Sequence, residues 1–365
     1  MSNNNVGFAV SKPIIFGEHK RYHQNEIENK IYPKGSKVLV VDGDTVAFRV
    51  ASASDEKSIL VTSPTGRKKK FKNRTEWKKW ASENNLASAN LDEYIITDVV
   101  DTEPLSFCLK TMKTKLEKLL RNSYAQYCEL YFGGSENFRL DLPLPTQYKG
   151  QRNQVKPTYL KECQAYMVEK QRCKEVVGVE TDDIVQQRII QIAKAGSHPI
   201  LATIDKDAFQ VFDEVGYSII NISTDITTKH IGGFGKLYLK GNDLKGEGFV
   251  WLMSQVFLFD RVDNYIMNSH YLKQYGGKSF YKDFVNLDNH KDVLEKMKSL
   301  WLKLLPPLTK YTSWNGLEMS LTRMELAELY FSCAYMRLVD NDPRTLDYFF
   351  KKYGVSTLEL EANNV

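Results

Sequence analysis

The sequence predicts an α/β fold: a mostly parallel central sheet flanked by helices. Three observations predict it. Apolar runs ending in acids or glycines, namely Lys37–Asp42 (KVLVVD), Tyr127–Phe132 (YCELYF) and Pro199–Asp205 (PILATID), have the pattern of strands buried on both faces. Helical stripes lie between them: Leu109, Met112, Leu116, Leu119 and Leu120, then Ile184, Ile189, Ile190 and Ile192. The length of 365 residues, 42% of them hydrophobic, suffices for one large domain with extensions or for two. Strands alternating with helices build parallel sheets.

In chain order, residues 1–36 are polar and mixed and read as an N-terminal extension. Lys37–Asp42 is the first strand, its C-terminal end opening into a loop. Lys57–Phe71 reads as a hairpin around a Ser-Pro-Thr-Gly turn. Thr75 is a candidate cap for a helix carrying Trp77 and Trp80. The basic run Arg67–Lys70 reads as a solvated loop more readily than as a contact site. Glu93–Val100 is a further strand, and the first stripe follows as a helix. Tyr127–Phe132 is a strand ending at Gly133-Gly134, and a stretch with Pro143 and Pro145 leads to Tyr148–Arg152 (YKGQR). Pro157 starts a helix running to about Arg172. Val176–Val179 leads into an acidic cluster at the N-terminus of the second striped helix. Gly216–Ile222 is a fourth core strand. From about Asn242 the chain reads as helical, rich in aromatics.

Composition excludes several classes. The net charge of +5 permits an anionic partner without requiring one. Five cysteines (Cys108, Cys128, Cys163, Cys173, Cys333), odd in number and without CxxC spacing, indicate neither a disulfide framework nor a zinc knuckle. Reduced thiols and a cytoplasmic location are expected. The six histidines form no HExxH pair. The N-terminus has no charged-then-apolar secretion signal. No apolar run approaches the roughly 20 residues that span a bilayer, so no membrane partner is expected.

Four short motifs carry the chemistry: VVDGD at Val40–Asp44, VETDD at Val179–Asp183, IDKD at Ile204–Asp207 and FDRVDN at Phe259–Asn264. Asp42, Asp44, Glu180, Asp182, Asp183, Asp205 and Asp207 fall at or just beyond strand ends. In a parallel sheet those ends share one edge. Two unit charges about 4 Å apart repel by about 4 kcal/mol at an effective dielectric near 20. Hard divalent ions relieve that repulsion, and donors that are all oxygen point to Mg²⁺ or Mn²⁺. Two such ions can activate water and orient a phosphodiester. Taken singly, DGD reads as a turn, TDD as a helix cap, DKD as a solvated turn and DRVDN as a helix terminus; their combination and order carry the inference. Tyr148 offers a base-stacking face, and Lys149 and Arg152 offer two phosphate-binding cations, though alone the segment reads equally as a basic loop. Arg139 reads as half of a core or surface ion pair more readily than as a cation facing the phosphate.

With the motifs in this order, the stretch from about Val38 to about Phe284 resembles the 5′ nuclease family of PIN-like fold. That family comprises flap endonucleases, the 5′-nuclease domains of bacterial DNA polymerases, and phage 5′–3′ exonucleases, which share the VxDGD opening. The resemblance implies a nuclease core over 37–235 with a helical arch at 141–175. It implies a helical region over 236–365 with a helix–turn–helix-like duplex-binding element near 260–285. It implies two ions, the first on Asp42, Glu180, Asp182 and Asp183, the second on Asp205, Asp207, Asp260 and Asp263. Asp42, Asp183, Lys149 and Arg152 are the catalytic set implied, and Tyr148, Lys149, Arg152, Gly276, Gly277 and Lys278 the DNA-binding set.

The activity implied is 5′–3′ exonuclease or flap endonuclease cleavage in DNA replication or degradation. DNA with 5′ ends or flaps is the substrate, and RNA in RNA–DNA hybrids a second one. A monomer is expected, working in host cytoplasm if the source is a phage. Three departures stand out. Gly134 occupies a position where the family carries an acid, Phe259-Asp260 replaces a Gly-Asp pair, and the connection from Asn264 to Gly276 is longer than usual. The rival readings are a catalytically weak, structure-specific DNA-binding replication accessory protein and a PIN-like RNase.

Overall fold

The computed structural model describes residues 20–362 apart from 28, 87, 153, 154, 259, 261, 266–274 and 340. Most of the expected extension (1–19), Phe259 and Arg261 of the fourth motif, and most of the long connection lie outside the described residues.

The central sheet has seven strands: β1 (Arg21–His23), β2 (Lys37–Asp42), β6 (Tyr127–Asn137), β7 (Lys174–Gly178), β8 (His198–Thr203), β9 (Gly216–Asn221) and β10 (Thr227–Ile231). Their order is β1-β7-β6-β2-β8-β9-β10, parallel throughout except for β10 at one edge. The expected α/β fold is therefore what forms. The chain leaves β2 toward β6 and β7, then returns to β8 on the other side of β2. That reversal makes the C-terminal end of β2 a topological switch point, where ligands of open α/β sheets bind.

Between β2 and β6 lie α1 (Gly43–Ala53), an antiparallel three-stranded sheet, and α3 (Leu105–Ser123). The small sheet comprises β3 (Asp55–Thr62), β4 (Lys68–Phe71) and β5 (Ile95–Thr102) and carries α2 (Arg74–Glu83). The expected hairpin and helix are present, but the cap is Asn73, whose side chain accepts from Glu76 N, rather than Thr75. In α3, Cys108, Met112, Leu116 and Leu119 are buried, while Leu120 turns outward at 39% exposure.

Helix α4 (Leu160–Gln171) joins α1 and α3 on one face of the sheet, where Cys163 and Met167 meet Leu39, Val41, Ile200 and Ala202. Helix α5 (Thr181–Lys194) covers the other face, burying Ile184, Ile189, Ile190 and Ile192 against Val38, Val40 and Leu201. The 20–36 stretch joins this core through Ile27 and Tyr32, so that part of the expected extension is integral to the fold. Gly43 is required by close approach. A Cβ there would lie 2.5 Å from the Tyr131 carbonyl oxygen, so any side chain would push α1 off β6.

Three expectations are corrected. Strand β6 runs on through Gly133-Gly134 to Asn137, with its register against β7 shifting there. The helix after Pro157, expected as part of an arch, is packed into the helical layer as α4, and the described residues of 142–159 are largely irregular. The C-terminal region also contains two hairpins, β11 (Lys236–Lys240) with β12 (Asp243–Glu247) and β13 (Leu308–Thr312) with β14 (Glu318–Thr322). Its helices α6 (Gly248–Leu258), α7 (Gly277–Phe284), α8 (His290–Leu304), α9 (Arg323–Ala334), α10 (Leu346–Lys352) and α11 (Leu358–Glu361) share a core of Phe257, Phe280 and Trp301 with Leu144 and Tyr148. The 142–148 stretch therefore packs with the C-terminal region, across the expected boundary at 235. No helix among the described residues is long and apolar enough to cross a membrane.

Candidate active site

At the switch point lies a cleft of about 320 Å³. It is lined by Asp42, Asp44, Glu180, Asp182, Asp205, Asp207 and Asp263, with Lys149 and Arg152 on its rim. The strand ends put them there. Asp42 ends β2 and caps α1, accepting from Thr45 N at 3.0 Å. Glu180 caps α5, where N-terminal helix dipoles favour anions. Asp205 and Asp207 follow β8, the backbone N–H of Asp207 donating to Asp205 at 3.0 Å. The ordinary readings of these motifs as caps and turns are thus also true.

Several of the acids are paired with the chain's own donors. Glu180 faces Lys149 and, 3.5 Å away, Arg139. Burial pushes its carboxyl up, but Lys149 and Arg139 outweigh that and hold it below the usual range. Asp263 pairs with Arg152, and Asp260 with Lys206. Tyr148 is buried, its hydroxyl 3.0 Å from Glu180 Oε2 and 3.1 Å from Asp263 Oδ2, its ring stacked 6.2 Å from Tyr265. It is therefore a strut between two carboxylates, which corrects its expected role as a base-stacking face. Asp44 accepts from Gly133 N (2.9 Å), Thr181 Oγ1 (2.6 Å) and Gln164 Nε2 (3.2 Å), tying α1 to β6, α5 and α4.

Asp183 is the main correction. It is fully buried, and its two oxygens accept from Arg139 Nη1 (2.7 Å) and Nη2 (2.9 Å), Glu180 N (2.9 Å) and Arg337 N (2.7 Å). Arg139 in turn donates to the carbonyls of Cys333 (3.1 Å) and Tyr335 (2.6 Å). With every lone pair engaged, Asp183 positions the cleft from behind, and we leave it out of the metal ligands. Gly276, Gly277 and Lys278 lie apart from the cleft, at the exposed start of α7. Gly134 leaves no room for the family's acid, since a Cβ there would come within 2.8 Å of Val177 Cγ1. Sequence reasoning missed Lys206, although it sits inside IDKD, and Thr203, which donates to Asp42 at 2.9 Å.

The remaining acids are crowded. Burial, then Asp205, Asp42 and Asp207, push Asp182 well above its ordinary range. Burial pushes Asp42 up to about 6 against hydrogen bonds from Thr45 and Thr203. Burial and Asp205 push Asp207 up to about 7. Among the described residues, no three acids stand close enough as placed to hold one metal ion. Mg²⁺ does not need three, since it keeps several waters and binds through one or two carboxylates. Oxygen-only donors with protonation-prone carboxyls fit such an ion.

A pH dependence follows. Carboxyls raised above their unfolded values near 3.9 keep protons that the unfolded chain has lost. Metal-free stability contributed by these groups therefore falls as pH rises from about 4 to about 7. A divalent cation replaces the protons above that window. Excess Mg²⁺ should raise Tm by about 5 °C near pH 8 and hardly at all near pH 5. Equal shifts at both pH values in paired scans with and without EDTA would disprove the coupling.

Two solved structures are similar to this chain. One is the T5 D15 protein co-crystallized with metal ions, at a TM-score of 0.39 and 13% identity. The other is T5 5′-exonuclease with divalent zinc ions bound, at a TM-score of 0.44 and 14% identity. Each similarity covers 89% of this chain and 100% of the other. No protein-family model matches the chain, and no curated protein matches it.

Proposed function

We propose that this protein is a divalent-metal-dependent nuclease that hydrolyses phosphodiesters at or near 5′ ends of DNA. The observation that carries the reading is the pairing of crowded, proton-holding carboxyls at the switch point with two cations on the same rim. The order of the four acidic motifs along the chain supports it independently.

Asp42, Asp182 and Glu180 would face one Mg²⁺ or Mn²⁺ and Asp205, Asp207 and Asp263 a second, each ion taking one or two of these carboxylates directly and the rest through water, with Asp260 reaching the second on release from Lys206. Bound there, the ions supply Lewis-acid polarisation of the phosphate and a lowered pKa of water at the site. Lys149 is fixed for its task. Its φ is +56°, a strained value for a non-glycine residue, and its backbone N–H donates to the Asp263 carbonyl at 2.7 Å. An incoming phosphate can take the place of Glu180 against its ammonium. Arg152, half-exposed, can fork onto the same group. Both then stabilise charge growing on the phosphate oxygens. Flaps and RNA in RNA–DNA hybrids are further proposed substrates, and DNA replication or degradation the setting.

Lys149→Ala should slow single-turnover cleavage by about 10²–10³-fold while weakening binding far less. A loss confined to binding would demote Lys149 to a simple phosphate contact. One observation favours a binding-only accessory protein: Glu180, Asp260 and Asp263 are each neutralised by the chain's own cations. A 5′-labelled flap duplex incubated with Mg²⁺ or EDTA decides between the two. Cleavage in Mg²⁺ alone supports the nuclease; bound but uncut DNA supports the accessory protein.

A further inference from the structure

No described residue of the insertion between α1 and α3 lines the cleft. It has its own core of Ile59, Val61, Phe71, Trp77 and Ala81. Its charge is laid out unevenly. From Arg67 to Lys79 the chain carries eight cations (Arg67, Lys68, Lys69, Lys70, Lys72, Arg74, Lys78, Lys79) against one carboxylate, Glu76. The balancing acids sit on β5, where Asp101 takes Lys70 and Asp98 takes Arg74 through two bonds of 2.8 and 2.9 Å. Lys69 lies 4.2 Å over the Trp80 ring. Arg67, Lys68, Lys72 and Lys78 are exposed, and no carboxylate among the described residues is within ion-pair distance of them.

Strand β4 is an edge strand, and lysines on an edge block unwanted strand pairing. One or two charges suffice for that. Eight cations running from the turn through β4 into α2, with the acids moved to the far strand, make a face that repels itself and attracts polyanions. Its position matters too. Thr158 N donates to Asp55 at 2.9 Å, and the Thr158 hydroxyl lies 3.2 Å from that of Thr102, so both ends of the insertion grip residue 158. Arg152 on the cleft rim is six residues away, within about 20 Å even if the chain is extended.

We infer that this insertion is a second contact surface for the nucleic-acid substrate: the 63–66 turn, β4 and the start of α2 hold backbone phosphates away from the point of cleavage, without reading bases. The inference rests on the nuclease reading for the identity of the polyanion. Alternation along β4 points Lys69 to one face and Lys68 and Lys70 to the other, suited to phosphate contact and to no base code.

The test is the triple variant Arg67→Gln, Lys68→Gln, Lys72→Gln, assayed for flap-duplex binding in EDTA over a range of salt. Affinity should fall at least about 10-fold, and the slope of log affinity against log salt should drop by about 2 to 3, near 0.9 for each phosphate that the variant no longer neutralises. Single-turnover cleavage at saturating DNA in Mg²⁺ should be unchanged. Unaltered affinity and slope would overturn the inference. So would an equal loss in a control of the same charge change elsewhere, Lys110→Gln, Lys291→Gln, Lys310→Gln. Binding in EDTA needs no catalysis, so a chain that binds through this face but never cuts would refute the nuclease reading and leave the surface standing.

Discussion

Asp205→Ala should abolish cleavage of a 5′-labelled flap, a loss on the order of 10³-fold or more, while DNA stays bound. Asp205 lines the cleft with Asp182 and Asp207, and after burial its charge is the largest cause of their raised carboxyls. Removing it takes away a donor for the ion and also a repulsion toward phosphate. Binding should therefore hold or tighten. Gel-shift affinity in EDTA beside cleavage in Mg²⁺ separates the two effects. Turnover at the wild-type rate would overturn the assignment of the site.

Arg139→Met should be the most destabilising single change, costing about 3–5 kcal/mol. It strands a fully buried Asp183 without its bidentate partner and orphans the carbonyls of Cys333 and Tyr335. Arg139→Lys should recover little, because one ammonium cannot serve both carboxylate oxygens and both carbonyls. Urea unfolding measures this directly. A midpoint shift worth less than about 1 kcal/mol would mean that the pair does not hold α5, β6 and the C-terminal region together.

Much of this was legible in the sequence, for identifiable reasons. A strand such as Lys37–Asp42 is buried on both faces, so an unbroken apolar run reveals it, and the acid at its end is the last residue of the strand. The same logic located Glu180, Asp182, Asp205 and Asp207. Asp183 misled because a cap, an ion-pair partner and a metal ligand look alike in one dimension; only the arrival of Arg139 from 44 residues away distinguishes them. Tyr148 misled for the same reason, its burial being set by the distant Tyr265 and Asp263. The hairpins β11–β12 and β13–β14 went unread because aromatic, mixed segments carry neither period cleanly.

The insertion of β3, β4, α2 and β5 leaves the main fold and rejoins it at one neck, with Thr158 beside both crossing chains. Glu103 N donates to Ser54 O at 2.9 Å, so the two crossing chains are already side by side. Such an attachment makes the unit a cassette: the sheet behind it closes whether the cassette is long, short or replaced. On the proposed function, catalysis and grip on the substrate can then change separately, the one by altering strand ends, the other by exchanging what is carried between Ser54 and Glu103.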